Sequence, residues 1–180
     1  MICEDESIIH YDSISKSVWI RKGRTPIRVT TGSKRKLYLF GGVSLEKEQT
    51  FLILDDKPMK NPDKKAKKKT ICKFNWKTTL YFLYLLKNKH GKFVLFWDKA
   101  GHHNHKKVKK YLRLHKDSIR VVSFPTAASE VNPVEECWHQ TKGTVSGNKA
   151  YDTYLIFKGK VTHYFRHKKF NLNIRRYLCP

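Results

Sequence analysis

The acids are the informative minority of this sequence. Asp98 follows the apolar run Phe93–Trp97, and between Lys64 and Lys116 it is the single acid among seventeen lysines and arginines. A lone carboxylate in so basic a stretch suits a divalent cation, because phosphate-bound Mg²⁺ takes one or two carboxylates and fills its shell with water and phosphate oxygens. The same side chain can instead cap the next turn or pair with Lys99. Two further acidic groups occupy comparable places. Glu4, Asp5 and Glu6 follow the apolar start Ile2-Cys3, while Glu135 and Glu136 fall in the first turns of a helix opened by Asn132-Pro133. Acids early in a helix also simply favour its dipole. Three acids from three separated elements, meeting at one sheet edge, would hold two metal ions about 4 Å apart and activate an oxygen nucleophile for in-line attack on a phosphodiester. His102, His103 and His105 raise the question of a zinc site. No cysteine or fourth ligand stands near them at a closed-site spacing, so they read as solvent-exposed or phosphate-facing.

Positioning such groups requires a sheet. Residues 1–6 read as a short strand, Ser17–Arg21 alternates like a strand, and Leu37–Val43 and Phe51–Leu54 are β-type runs. From Asn75 to Lys89 apolar residues recur at three and four, predicting a helix that stops at Gly91. Phe93–Trp97 reads as a strand buried on both faces, with Asp98 at its carboxyl end, where open α/β sheets gather their functional groups. A basic amphipathic helix over Asn104–His115, a strand over Ile119–Phe124, a helix from Asn132 through Lys142 and a last helix over Thr153–His167 complete the chain. The order predicts an α/β fold with a mixed sheet and helices on its faces. The expected division is a domain over 1–147 and a basic helical extension over 148–180. The lysine cluster within 57–73 reads as a solvated insertion.

Composition sets the partner. The 180 residues carry 38 Lys+Arg against 15 Asp+Glu, a formal charge of +23, yet 39% are hydrophobic, enough to bury a core. This excess points to a polyanion, nucleic acid before anionic membrane. The four cysteines have no CxxC spacing and read as single thiols in a reducing compartment. No apolar run reaches the roughly 18–20 residues of a membrane span, and the acidic N-terminus does not resemble a signal peptide. A cytoplasmic, nucleoid-associated protein is expected.

Four strings carry a family resemblance: Glu4-Asp5-Glu6-Ser7; Trp19 with Lys22-Gly23 and Pro26; Trp97-Asp98-Lys99-Ala100-Gly101-His102-His103; and Glu130 through Trp138 with Lys142. The last contains N-P-V-E-x-x-W-x-x-x-K in full and is the most specific of them. Together they resemble the DDE transposases of the mariner superfamily, in its insertion sequence six-thirty branch. The resemblance implies a ribonuclease-H-like fold with a five-stranded mixed sheet. It implies a triad of Asp5, Asp98 and Glu135, with 36 residues between the last two, acting as both catalytic and metal-holding groups for two Mg²⁺ or Mn²⁺ ions. Asp12 and Glu136 rank below Asp5 and Glu135. The implied activity is DNA cleavage at transposon ends and joining of the freed 3′-hydroxyl to target DNA. The alternative is an inactive transposon remnant that only binds DNA. Trp138 would pack the helix carrying Glu135. Lys22, Lys99, His103, Lys106, Lys107, Lys109, Lys110 and Lys142 are the expected DNA contacts, Lys99 standing where the family usually has asparagine. Pairing two DNA ends implies a homodimer. The family's helix-turn-helix modules precede its first box, and here only four residues precede Asp5. A catalytic half is therefore expected: either the second reading frame of a frameshifted element, with the helix-turn-helix half encoded separately, or a truncated copy.

Overall fold

The computed structural model describes residues 1–180 except 18, 26, 28, 47, 57–72, 126–130, 175–176 and 178–180. Its strands are β1 (Ile2–His10), β2 (Lys36–Ser44), β3 (Gln49–Asp55), β4 (Phe93–Trp97) and β5 (Ile119–Ser123). Its helices are α1 (Trp76–His90), α2 (Lys106–Leu114), α3 (Pro133–Val145) and α4 (Tyr154–His167). The sheet order is β3-β2-β1-β4-β5. The β1–β2 and β2–β3 pairs are antiparallel, β1–β4 and β4–β5 parallel, so the expected mixed sheet of five strands is present.

The first strand is longer than its sequence suggests. Acids interrupt the apolar alternation at Glu4, Asp5 and Glu6, but pairing with β2 runs from Ile2 opposite Ser44 to His10 opposite Lys36. The antiparallel ladder with β2 spans the acids and outweighs their poor β-propensity, while β4 pairs with β1 at Ile2 and Cys3. The reading of Ser17–Arg21 as a strand is corrected. The described residues there form no regular element, and Trp19 and Ile20 are exposed, so the alternation has no neighbour to pair with. The lysine cluster lies outside the described residues.

The helices begin where the chain supplies caps. Asn75 and Thr78 form a capping box at α1, and Gly91, at a φ of 66°, ends it. His105 caps α2, Asn132 caps α3 with Pro133 in the first turn, and Thr153 caps α4. Two cores follow from the period of two along the strands. On one face Ile2, Phe40, Leu95 and Ile119 pack with Phe82, Leu83 and Leu86 of α1 and Val108 of α2. On the other, Cys3, Ile9, Leu37, Leu39 and Val43 pack with Val134, Cys137 and Trp138 of α3 and Phe157 and Val161 of α4. At the β3 edge, Asp55 accepts hydrogen bonds from Tyr154 Oη at 2.8 Å, Lys158 Nζ at 3.0 Å and Arg35 Nη2 at 3.0 Å, pinning α4 to the sheet. Cys3 and Cys137 are free thiols, and burial pushes both up to about 12. No described helix is long and apolar enough to cross a membrane.

Candidate active site

Because side chains alternate along β1, its acids divide between the two faces. Asp5 points with Cys3 and Ile9 toward α3; Glu4 and Glu6 point with Ile2 toward α1 and α2. Parallel pairing sets Ile2 beside Leu95 and Cys3 beside Phe96. Two residues further in the same register stand Asp5 and Asp98.

The third acid arrives on α3. The Asn132 side chain accepts from Val134 N at 3.2 Å and donates from Nδ2 to the Glu4 carbonyl at 3.1 Å. One residue thus starts the helix and ties that start to β1. In the first turn, Glu135 is exposed. Spacings of three and seven place Glu135, Trp138 and Lys142 on one stripe of the helix. Trp138 is fully buried and donates from Nε1 to Asp5 Oδ2 at 2.7 Å. Burial and the nearby Glu135 carboxylate push Asp5 up to about 7, against the Trp138 hydrogen bond. The Asn132 and Trp138 hydrogen bonds thus bring α3, with Glu135 in its first turn, against β1 at Asp5.

Asp98 makes a different set of contacts. Its Oδ1 accepts from Ala100 N at 2.8 Å and lies 3.0 Å from His103 Nδ1, and the His103 hydrogen bond holds it below the usual carboxylate range. The ligand atoms of Asp5, Asp98 and Glu135 do not all lie within 4.8 Å of one another; among the described residues only Glu6, His102 and His103 meet that condition. Asp5 is held by Trp138, and Asp98 by Ala100 and His103. The donor set still fits a hard divalent cation, being three carboxylates and so all oxygen.

The lower-ranked acids have other work. Asp12 accepts from the backbone N–H groups of Ser13 and Thr31, and Glu136 accepts from Gln140 Nε2 one turn along α3. The expectation for His103 is corrected. It is 4% exposed, stacked flat on Trp97 at 4.1 Å, and too enclosed to meet a phosphate. Burial opposes its charge, but Asp98, Glu6 and Glu4 surround it and push it up to about 11. His102 contacts Glu6, and His105 stacks on Trp76, so these histidines are inward-facing. Glu4 and Glu6 were legible in sequence only as neighbours of Asp5, because their histidine partners lie some ninety-six positions away. Lys22, Lys99, Lys106, Lys109 and Lys110 are exposed, Lys107 lies over the Trp76 ring at 4.2 Å, and Lys142 is half-buried.

Gly41 pairs with Asp5 and makes room for Trp138. A Cβ built there would stand 2.6 Å from the indole Cη2. Gly41→Ala is expected to push the indole from its seat and cost about 1–3 kcal/mol, the usual price of overpacking. Urea unfolding measures the loss, and a matched Gly159→Ala change, in open space on α4, should show none of it.

Residues 1–155 match the family of DDE superfamily endonucleases. No curated protein matches the sequence. Solved structures that resemble it include the Mos1 mariner paired-end complex with Mn, 14% identical with a TM-score of 0.67, matched over 98% of this chain and 51% of that one. The Mos1 strand transfer complex matches at a TM-score of 0.66 and 14% identity, over 98% of this chain and 50% of that one. The catalytic domain of Mos1 mariner transposase matches at 0.60 and 13% identity, over 98% and 74%. The chain spans about half the length of the full Mos1 chains it matches. At these identities the likeness concerns the fold, the ribonuclease-H-like arrangement that the family resemblance implies. The chain belongs to the DDE superfamily of endonucleases, with a fold shared with the catalytic domain of mariner transposases.

Proposed function

We propose that the protein is a transposase catalytic domain that cuts DNA at transposon ends and joins the freed 3′-hydroxyl to target DNA. Asp5, Asp98 and Glu135 are its catalytic, metal-holding residues. The observation that carries the reading is the tie between Asp5 on the central strand and α3, which bears Glu135, made by Trp138 and Asn132. Asp98 ends the adjacent strand. Mg²⁺ or Mn²⁺ held by such a set supplies Lewis-acid activation of the attacking oxygen and neutralises charge at the phosphate. The chain's residues do the rest. Trp138 Nε1 donates to one oxygen of Asp5 and would orient the carboxylate that holds the metal. Lys142, on the stripe of Glu135, reaches a phosphate beside the scissile bond. In the first reaction water displaces the 3′-oxygen from phosphorus, leaving a 3′-hydroxyl and a 5′-phosphate. In the second that hydroxyl attacks a target phosphodiester and releases a new 3′-hydroxyl, so bonds formed and broken balance.

DNA is held by the basic surface. Lys106, Lys109, Lys110 and Arg113 leave α2 toward solvent, with Lys99 in the preceding turn and Lys22 in the β1–β2 connection. Contact by about five of them gives a slope near −4.5 in log affinity against log salt. Neutralising Lys109 and Lys110 together is expected to flatten that slope by about 1.8, read by fluorescence anisotropy at several salt concentrations. Two copies acting on paired ends, in the nucleoid, complete the proposal, with a separately encoded helix-turn-helix partner to read the ends. Purified protein incubated with supercoiled plasmid tests it. Nicking that needs Mg²⁺ or Mn²⁺ supports the reading, whereas DNA binding without nicking leaves a remnant that only binds.

A further inference from the structure

On the face of β1 opposite Asp5, Glu4 and Glu6 lie beneath the turn between β4 and α2, which folds His102 and His103 over them. The Nε2 atoms of both imidazoles converge on one oxygen, Oε1 of Glu6, that of His103 at 3.1 Å and that of His102 in closer contact. One ligand atom each from Glu6, His102 and His103 lie within 4.8 Å of one another. Glu4 stands beside this group, its Oε2 3.6 Å from His103 Nε2, though not within that mutual spacing of all three.

Glu4 is the second, independent observation. It is 2% exposed, and neither carboxylate oxygen has a hydrogen-bond partner. It is the only acid in that state among the described residues. A buried carboxylate without a donor is costly, and a second carboxylate beside it adds repulsion. A cation relieves both. His103 is already posed for that role: Nδ1 lies 3.0 Å from Asp98 Oδ1, and Trp97 stacks on the ring at an interplanar angle of 8°. Ligand histidines are commonly fixed in this way, one ring nitrogen on a carboxylate and the other facing the metal.

We propose that Glu6, His102 and His103, with Glu4 closing in as the fourth ligand, bind one zinc-class divalent ion on the sheet face opposite Asp5. Two imidazole nitrogens and two carboxylate oxygens match the four-coordinate preference of Zn²⁺, whereas Mg²⁺ favours an all-oxygen shell that keeps its waters. His103 gives up its Nε2 proton to the solvent on binding and keeps Nδ1–H on Asp98. Four protein ligands leave no open position, so the ion is structural. It ties the turn bearing Asp98 to the central strand.

The test needs no nuclease activity. The full chain, stripped with a chelator, is titrated with Co²⁺ as a spectroscopic stand-in for zinc and then challenged with Zn²⁺. One equivalent is expected to produce the visible absorption of a four-coordinate site, and one equivalent of Zn²⁺ to remove it. Glu135→Gln, which alters only the catalytic set, should leave the spectrum unchanged. His102→Ala and Glu4→Gln, with circular dichroism confirming the fold, should weaken binding by about 100-fold or more, at or beyond the loss seen when a metal's outer-shell partner is removed. No visible band in the wild type overturns the proposal, whatever the variants do. So does a band that survives His102→Ala or Glu4→Gln, or one that disappears in Glu135→Gln. Should either cluster variant fail to fold, the wild-type and Glu135→Gln titrations still decide it.

Discussion

Glu135→Gln is expected to lower Mg²⁺-dependent nicking of supercoiled DNA by about 10³-fold or more, while salt-sensitive DNA binding stays intact. Losing one metal-holding carboxylate forfeits several kcal/mol of charge stabilisation in the transition state, and about 4 kcal/mol already corresponds to 10³ in rate. Glu135 is the cleanest of the three positions to change. Its side chain is exposed at the start of α3, so glutamine there disturbs no core. Asp98→Asn should lose activity to the same extent, but it also removes a charge that faces His103. Glu136→Gln is the control: its carboxylate serves Gln140 on another side of the helix, and nicking should not change. Initial nicking rates, with anisotropy for DNA affinity, separate chemistry from binding. Equal loss from Glu135→Gln and Glu136→Gln would contradict the assignment of Glu135.

The second large effect is on stability. Trp138→Ala is expected to cost about 3–5 kcal/mol, typical of removing a buried aromatic side chain, and a domain of this size has only about 5–15 kcal/mol in total. The indole lies against Phe51 and Phe165 and over Gly41. Trp138→Phe separates packing from hydrogen bonding. It keeps a ring in the core but removes the donor to Asp5, a bond to a charged group being worth about 1.5–3 kcal/mol. If Trp138 also orients Asp5 for metal, the phenylalanine variant should need about 10–100-fold more Mg²⁺ for half-maximal nicking. Urea unfolding and a Mg²⁺ titration of activity read the two effects apart. A stability loss with unchanged metal dependence would reduce Trp138 to a packing residue.

Much of the fold was legible because its signals are local. Asn75 and Gly91 bracket α1, Asn132-Pro133 opens α3, and Phe93–Trp97 is apolar at every position, so these elements are found where the sequence places them. Two features were not. The full length of β1 depends on its ladder with β2, which no property of its own acidic residues announces. The segment at Ser17–Arg21 has the alternation of a strand, but its described residues join no strand. The candidate site divides in the same way. The spacing of Glu135, Trp138 and Lys142 in the sequence is enough to put them on one stripe of a helix. Which face of β1 each acid occupies, and that His103 is enclosed by three of them, follows from register and a turn between distant segments. A run of histidines in a basic stretch looks like surface until Glu4 and Glu6 are found beneath it.

The most direct measurement is anomalous scattering from crystals of the protein soaked in Mn²⁺. The account predicts manganese density bounded by the carboxylates of Asp5, Asp98 and Glu135, with Asp98 turned toward Asp5, and its loss in Glu135→Gln crystals. Manganese found only beside Glu4, Glu6, His102 and His103, or nowhere on the protein, would contradict a metal-dependent DDE centre.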